Sequence, residues 1–219
     1  MQPTLSMTCY SDLLCVWAYI AQARIDEVKL HFPQQVSIDY RFCSVFGDSA
    51  HKINNAWGSR GGYEGFAAHV QEAAAHFDHI TLHPDLWSQI RPHSSTPAHL
   101  LLKAVQDFDA DCCETVLVAL RRAFFERGLD IGSREVLEWV LNEVNMPVAE
   151  VYRRIDDGQA HAQLEADNRD KETLMVQGSP TFLLNDGRQK LYGNVGYGVI
   201  EANIRELIRS PMAGSASWC

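Results

Sequence analysis

Apolar and polar positions alternate most cleanly over residues 36–43, VSIDYRFC. Val36, Ile38, Tyr40 and Phe42 fall on one side and Ser37, Asp39 and Arg41 on the other. A period of two predicts a β-strand. Residues 4–10, TLSMTCY, read as an earlier short strand, and the polar pair Ser11-Asp12 breaks it. From Cys15 to about Leu30 the spacing of Trp17, Ile20, Ala21 and Val28 is helical, and Pro33 ends it. The chain therefore opens β-α-β, a unit whose strands run parallel with a right-handed crossover.

Residues 47–62 are rich in Gly, Asn and Ser and read as a loop. From about 63 to 175 the pattern is helical throughout. Phe66, Val70, Ala73 and Phe77 share one face; Leu101, Ala104, Val105 and Phe108 line another after a cap at Thr96-Pro97. Val116, Leu117, Leu120 and Phe124 mark a third helix, closed by Gly128, and Leu137, Val140, Leu141 and Val144 a fourth, capped by Ser133. Pro147 opens a fifth, and residues 159–175 form a sixth. The pattern then changes. Gly178-Ser179-Pro180 leads into the strand TFLLN, Asp186-Gly187 is a hairpin signal, KLYG returns, and residues 196–209 form an amphipathic helix. Neither end could bury a sheet alone. The expected architecture is one α/β domain made of residues 1–46 and 176–209, carrying an all-helical insertion over 60–175, with a loose tail at 210–219.

Composition narrows the setting. With 219 residues the chain can bury roughly 70% of its unfolded surface. The net charge of −9 argues against nucleic acid as a partner, since an acidic surface repels phosphates. Residues 13–21, LLCVWAYIA, imitate the core of a secretory signal, but no Lys or Arg precedes Arg24 and Asp12 stands just before the run. The run is also too short to span a membrane. Six cysteines, at 9, 15, 43, 112, 113 and 219, are too sparse for a small disulfide scaffold. The expectation is a cytoplasmic protein with reduced thiols and no membrane partner, as a monomer or homodimer.

Cys15 is the sharpest chemical feature. It sits where a strand has ended and a helix begins, and unpaired N–H groups there favour a thiolate. Pro180, between Ser179 and Thr181 at a strand start, is a candidate cis peptide. The two features occur together in Ser11-Asp12-Leu13-Leu14-Cys15-Val16-Trp17-Ala18-Tyr19-Ile20 and in QGSPTF entering a hairpin. That combination resembles the DsbA-like branch of the thioredoxin superfamily, closest to FrnE-type proteins, whose motif reads S-D-x-x-C-P-W-C-Y-I. The resemblance covers almost the whole chain. It implies a thioredoxin-like fold, Cys15 as nucleophile, Pro180 packed against it, and the Ser179 backbone pairing with an extended thiol or disulfide substrate.

The departure from the motif matters as much as the match. Ala18 stands where the family has its second cysteine, and Val16 replaces the proline. A mixed disulfide on Cys15 then needs an outside thiol to release it, glutathione being the natural candidate, so the expected enzyme is a monothiol thiol–disulfide oxidoreductase. Cys43, near the carboxyl end of the second strand, could approach Cys15, although a core position is the commoner fate. Kappa-class glutathione transferases and 2-hydroxychromene-2-carboxylate isomerases share the fold, with a serine at the Cys15 position and a polar pair opening the last helix. Asn194 matches that pair and Val195 does not, which leaves a glutathione-dependent transferase or isomerase as the alternative and a redox-inactive binding module as a third. No tightly bound cofactor is expected.

Trp17 walls the substrate groove or fills the core. Asp12, as an anion, would raise the Cys15 pKa, and an ordinary loop position is the simpler expectation. His76, His79 and His83 have helical spacing, but Thr81-Leu82-His83-Pro84 reads as a helix already ended, so solvated positions are expected rather than a metal site. His83 or His99 could instead line a cleft beneath the insertion.

Overall fold

A computed structural model describes residues 5–210. Thr4, Cys219 and all but the first residue of the expected tail lie outside the described residues. Strand β1 (Leu5–Ser11) pairs in parallel with β2 (Val36–Phe42), Leu5 opposite Val36 through Ser11 opposite Phe42. Strand β3 (Thr181–Leu184) runs antiparallel to β1, and β4 (Gln189–Tyr192) antiparallel to β3, giving the order β2-β1-β3-β4. The first crossover is a broken helix, α1 (Val16–Ile20) and α2 (Gln22–His31), interrupted at Ala21. The hairpin between β3 and β4 turns through Asn185, Asp186 and Gly187, all with left-handed φ, which is why Asn, Asp and Gly occupy it.

The helices between β2 and β3 are α3 (Ser49–Trp57), α4 (Gly62–Ala74), α5 (Thr96–Phe108), α6 (Cys113–Phe125), α7 (Arg134–Glu143), α8 (Val148–Asp156) and α9 (Gln159–Thr173). The last helix is α10 (Tyr197–Arg209). This is the mixed sheet and helical insertion of a thioredoxin-like α/β fold. Two local expectations are corrected. The stretch expected as a loop over 47–62 contains α3: the Asp48 carboxylate accepts the His51 N–H at 2.9 Å, and Ile53 is buried. A single cap and one buried face are enough to hold a helix through Asn54-Asn55. At the start of α5 the N-cap is Ser95 rather than Thr96, and the Ser95 hydroxyl makes no cap bond because it reaches Asp12 instead.

One continuous core joins the sheet to the insertion. Met7, Cys9, Ile25, Val28, Phe182 and Ile204 share it with Leu101, Val105, Leu117 and Phe124. Phe46, Phe66, Trp87 and Phe124 meet as stacked, tilted or edge-to-face rings with centroids 5.2–5.8 Å apart. The edge strand β2 is fastened to the insertion by Asp167 of α9. Its buried carboxylate accepts the Phe42 N–H at 3.0 Å, the Arg41 guanidinium at 2.9 Å and the Lys103 ammonium at 3.0 Å. Gln106 donates to the Tyr40 carbonyl at 2.9 Å on the same edge.

Asp167→Ala strands the buried Lys103 charge and frees a strand-edge N–H, so urea unfolding is expected to register a loss of about 3–5 kcal/mol. Three thiols give a pH signature. Burial pushes Cys9, Cys43 and Cys113 from an ordinary 9.0 to about 12. The folded state keeps their protons where the unfolded chain has lost them. Stability under reducing conditions is therefore expected to be unaffected by these thiols below about pH 9. It should then fall toward pH 12, by up to about 1.4 kcal/mol per pH unit for each thiol.

Candidate active site

The end of β1 sets the site. After Ser11 the chain turns through Asp12, Leu13 and Leu14 into Cys15, the N-cap of α1 with extended φ −83° and ψ 114°. The Cys15 N–H donates to the Asp12 carbonyl at 3.1 Å, and the Cys15 carbonyl accepts from Ala18 and Tyr19, each at 3.1 Å. Across from it the Ser179–Pro180 peptide is cis. The Cys15 Sγ donates to the Ser179 carbonyl at 3.3 Å, so the thiol and the prolyl turn are in direct contact. Gly193, in the turn between β4 and α10, donates its N–H to the Pro180 carbonyl at 2.9 Å. That bond brings Asn194 to the neighbourhood of the prolyl turn, with an exposed side chain. Trp17 is half-buried and meets Phe77 of the insertion edge-to-face at 6.5 Å.

The strand-to-helix placement predicts an acidic thiol, and here the balance falls the other way. Cys15 is 7% exposed. Burial pushes its pKa up; a hydrogen bond from the Ser179 side chain and the N–H groups of Ala18 and Trp17 act downward, and the Asp12 charge acts upward. Desolvation outweighs the helix start because α1 has only five residues and its end is covered by the prolyl turn.

Asp12 is not a loop bystander. It is fully buried, and its carboxylate accepts the Leu14 N–H, the Phe46 N–H and the Ser95 hydroxyl, each at 2.8 Å. Its own N–H donates to the Ser179 Oγ at 2.8 Å. One residue thus ties the nucleophile turn, the segment after β2, the start of α5 and the prolyl turn. His99 is also fully buried and does not line an open cleft. Its Nε2 accepts the Leu13 N–H at 3.2 Å, which leaves the proton on Nδ1, and its ring stacks on Phe42 at 5.5 Å. Burial holds its pKa down, so it stays neutral beside Asp12. Arg121 of α6 comes from below, donating to the Ser11 Oγ at 3.1 Å and to the Gln22 Oε1 at 2.5 Å.

Cys43 is brought near the site but not to it. It is fully buried with Tyr10, Val176 and Leu183, in a cluster separate from the one holding Cys15, and its thiol is free. The three histidines do not converge. His79 approaches the Ile20 carbonyl at 3.4 Å, His83 accepts the Asp85 N–H at 3.2 Å, and His76 is exposed. Among the described residues no group of His, Cys, Asp and Glu is gathered as a metal would need, and no helix is long and apolar enough to cross a membrane. His99 and Ser95 leave no local mark in the sequence. Arg121 does: it lies four residues after Leu117 and three before Phe124, which puts a cation on the apolar face of α6.

Comparison with known proteins agrees with this fold. The chain superposes on a probable DsbA oxidoreductase from Streptomyces coelicolor with a TM-score of 0.75, at 19% identity over 97% of this chain and 94% of that one. The cytosolic disulfide reductase DsbM from Pseudomonas aeruginosa gives 0.65, at 21% identity over 91% and 98%. A 2-hydroxychromene-2-carboxylate isomerase gives 0.64, at 16% identity over 94% and 97%. No curated protein sequence matches. These likenesses concern the fold; the family model for the DSBA-like thioredoxin domain matches residues 7–205, and the chain belongs to that family.

Proposed function

We propose that the protein is a thiol–disulfide oxidoreductase that works through Cys15 alone and leaves release of the mixed disulfide to an external thiol. The observation that supports this most directly is the 3.3 Å contact between the Cys15 Sγ and the Ser179 carbonyl beside Pro180, with Ala18 where a resolving thiol would stand. Of the other described cysteines, Cys9, Cys43 and Cys113 are buried and Cys112 belongs to the insertion.

In the forward step the Cys15 thiolate attacks one sulfur of a disulfide RS–SR′. A Cys15–S–S–R bond forms, the RS–SR′ bond breaks, and R′S⁻ leaves and takes a proton. A glutathione thiolate then attacks the mixed disulfide, giving RS–SG and restoring Cys15. On a glutathionylated protein the same steps sum to protein–S–SG plus glutathione giving protein thiol plus glutathione disulfide, with no electrons left over. The Ser179 hydroxyl, oriented by the Asp12 N–H, is aimed to hold the sulfur as its charge develops. Pro180 and the Ser179 backbone form the wall along which an extended thiol or disulfide substrate lies, with Trp17 at its margin. Glutathione is a co-substrate here rather than a bound cofactor, and its thiol pool places the working protein in the cytoplasm.

Asn194 supports a second assignment. It is exposed and follows Gly193, whose N–H bonds the Pro180 carbonyl, so its amide is available to the polar end of a bound glutathione, and the isomerase with the same fold makes a glutathione-dependent isomerase or transferase its natural form. The raised Cys15 thiol supports a third, a binding module without redox chemistry.

Incubation with oxidised glutathione separates the three. The oxidoreductase is expected to gain one glutathionyl group on Cys15 by mass, reversed by reduced glutathione and lost in Cys15→Ser. Tight glutathione binding with Cys15 unmodified supports the transferase. No modification and no binding leaves the binding module and sinks the enzyme. Ala18→Cys restores an internal resolving thiol, so reduction of an insulin disulfide is expected to rise well above that of the parent; an unchanged rate would mean the groove does not admit disulfides.

A further inference from the structure

The loop that leads into Pro180 carries an exposed ring. Tyr192 closes β4, stands opposite Thr181 at the start of β3 and is 54% exposed. Its side chain reaches past that partner to Gly178. A Cβ added to Gly178 would stand 3.2 Å from the Tyr192 Oη and 3.3 Å from its Cε2. Side chains rarely pack that tightly, so glycine at 178 is what lets the ring lie against the backbone there. A single exposed aromatic needs no explanation. One seated on the backbone beside a nucleophile does, because the seat fixes where its free face stands.

The seat is held on both sides. Gly178 precedes Ser179, whose carbonyl takes the Cys15 thiol at 3.3 Å. The Thr181 hydroxyl donates to the Gly178 carbonyl at 2.7 Å. Gly193, directly after Tyr192, donates its N–H to the Pro180 carbonyl at 2.9 Å. Two residues back on the same face of β4, Lys190 donates to the Met175 carbonyl at 3.1 Å, and Met175 is 75% exposed. The ammonium is thus turned onto backbone, and the exposed residues brought to this side of the prolyl turn include an aromatic ring and a thioether.

A substrate lying along Ser179 as an extended strand places successive side chains on alternate faces, and residues paired across strands share a face. With its cysteine at Cys15, the neighbouring residue falls alongside Gly178. It finds no side chain there, and it meets the Tyr192 ring on the face where a Cβ would have stood.

We propose that Tyr192 is a specificity-determining residue: an aromatic wall, seated on Gly178, that favours peptide disulfides with a large apolar or aromatic residue next to the reacting cysteine. This rests on Cys15 being the working thiol and deepens that reading by naming the substrate class.

The test uses two peptides that differ only in carrying Phe or Ser on each side of a single cysteine, which is joined by a disulfide to thionitrobenzoate. The Cys15 thiolate attacks the peptide sulfur. A Cys15–peptide disulfide forms, the probe's S–S bond breaks, and the coloured thionitrobenzoate anion leaves because its thiol is the more acidic one. The readout is the ratio of the two release rates after subtraction of the Cys15→Ser background, so any change in thiol reactivity cancels. The full-length protein is expected to favour the Phe peptide about tenfold. Tyr192→Phe is expected to keep that preference, and Tyr192→Ala to bring the ratio to within about twofold of one. Gly178→Ala pushes the ring off its seat and carries the same test if Tyr192→Ala does not fold. A ratio near one in the parent, a preference that survives in Tyr192→Ala, or its loss in Tyr192→Phe overturns the proposal. A parent that gains glutathione on Cys15 but shows no Phe preference keeps the oxidoreductase and loses the Tyr192 wall. No release from either peptide sinks both.

Discussion

The site depends on a single buried carboxylate. Asp12 has no solvent to hydrate it, so its lone pairs must find donors, and the three donors come from three separate segments. Removing the carboxylate would leave two buried amides and a hydroxyl unpaired at once. Its amide, meanwhile, fixes the Ser179 hydroxyl beside the sulfur. The geometry of Cys15 is therefore not a property of a short helix alone. It is the point where the β1 turn, the segment after β2, the insertion and the prolyl turn are required to agree.

That agreement explains why the insertion cannot be regarded as an appendage. Ser95 and His99 on α5 hold Asp12 and the Leu13 amide, and Arg121 on α6 reaches the last residue of β1. Burial raises the thiol, and the Ser179 side chain with the N–H groups of Ala18 and Trp17 works in the opposite direction.

Much of the fold was legible in the sequence because period is a local property. The alternation in VSIDYRFC and the turn residues Asn185-Asp186-Gly187 each fix their element without reference to the rest. The contact between Cys15 and Ser179 could be anticipated only from the combined motifs, since 164 residues separate them. Helix α3 was hidden because Asn and Ser favour turns, and only the burial of Ile53 decides otherwise. Asp12 looked ordinary because its role lies entirely in partners from distant segments. The acidity of Cys15 was misjudged for a related reason: a helix start is visible in sequence, and the burial that overrides it is not.

The fastening of β2 has a separate consequence. A sheet edge with free N–H and C=O groups invites a foreign strand to add itself, and β2 lies at such an edge. Here the Phe42 N–H is taken by Asp167 and the Tyr40 carbonyl by Gln106, both from the insertion. Helices α5 and α9 thus act as a guard against self-association, and a chain whose insertion loosened before its sheet would expose a sticky border while still largely folded.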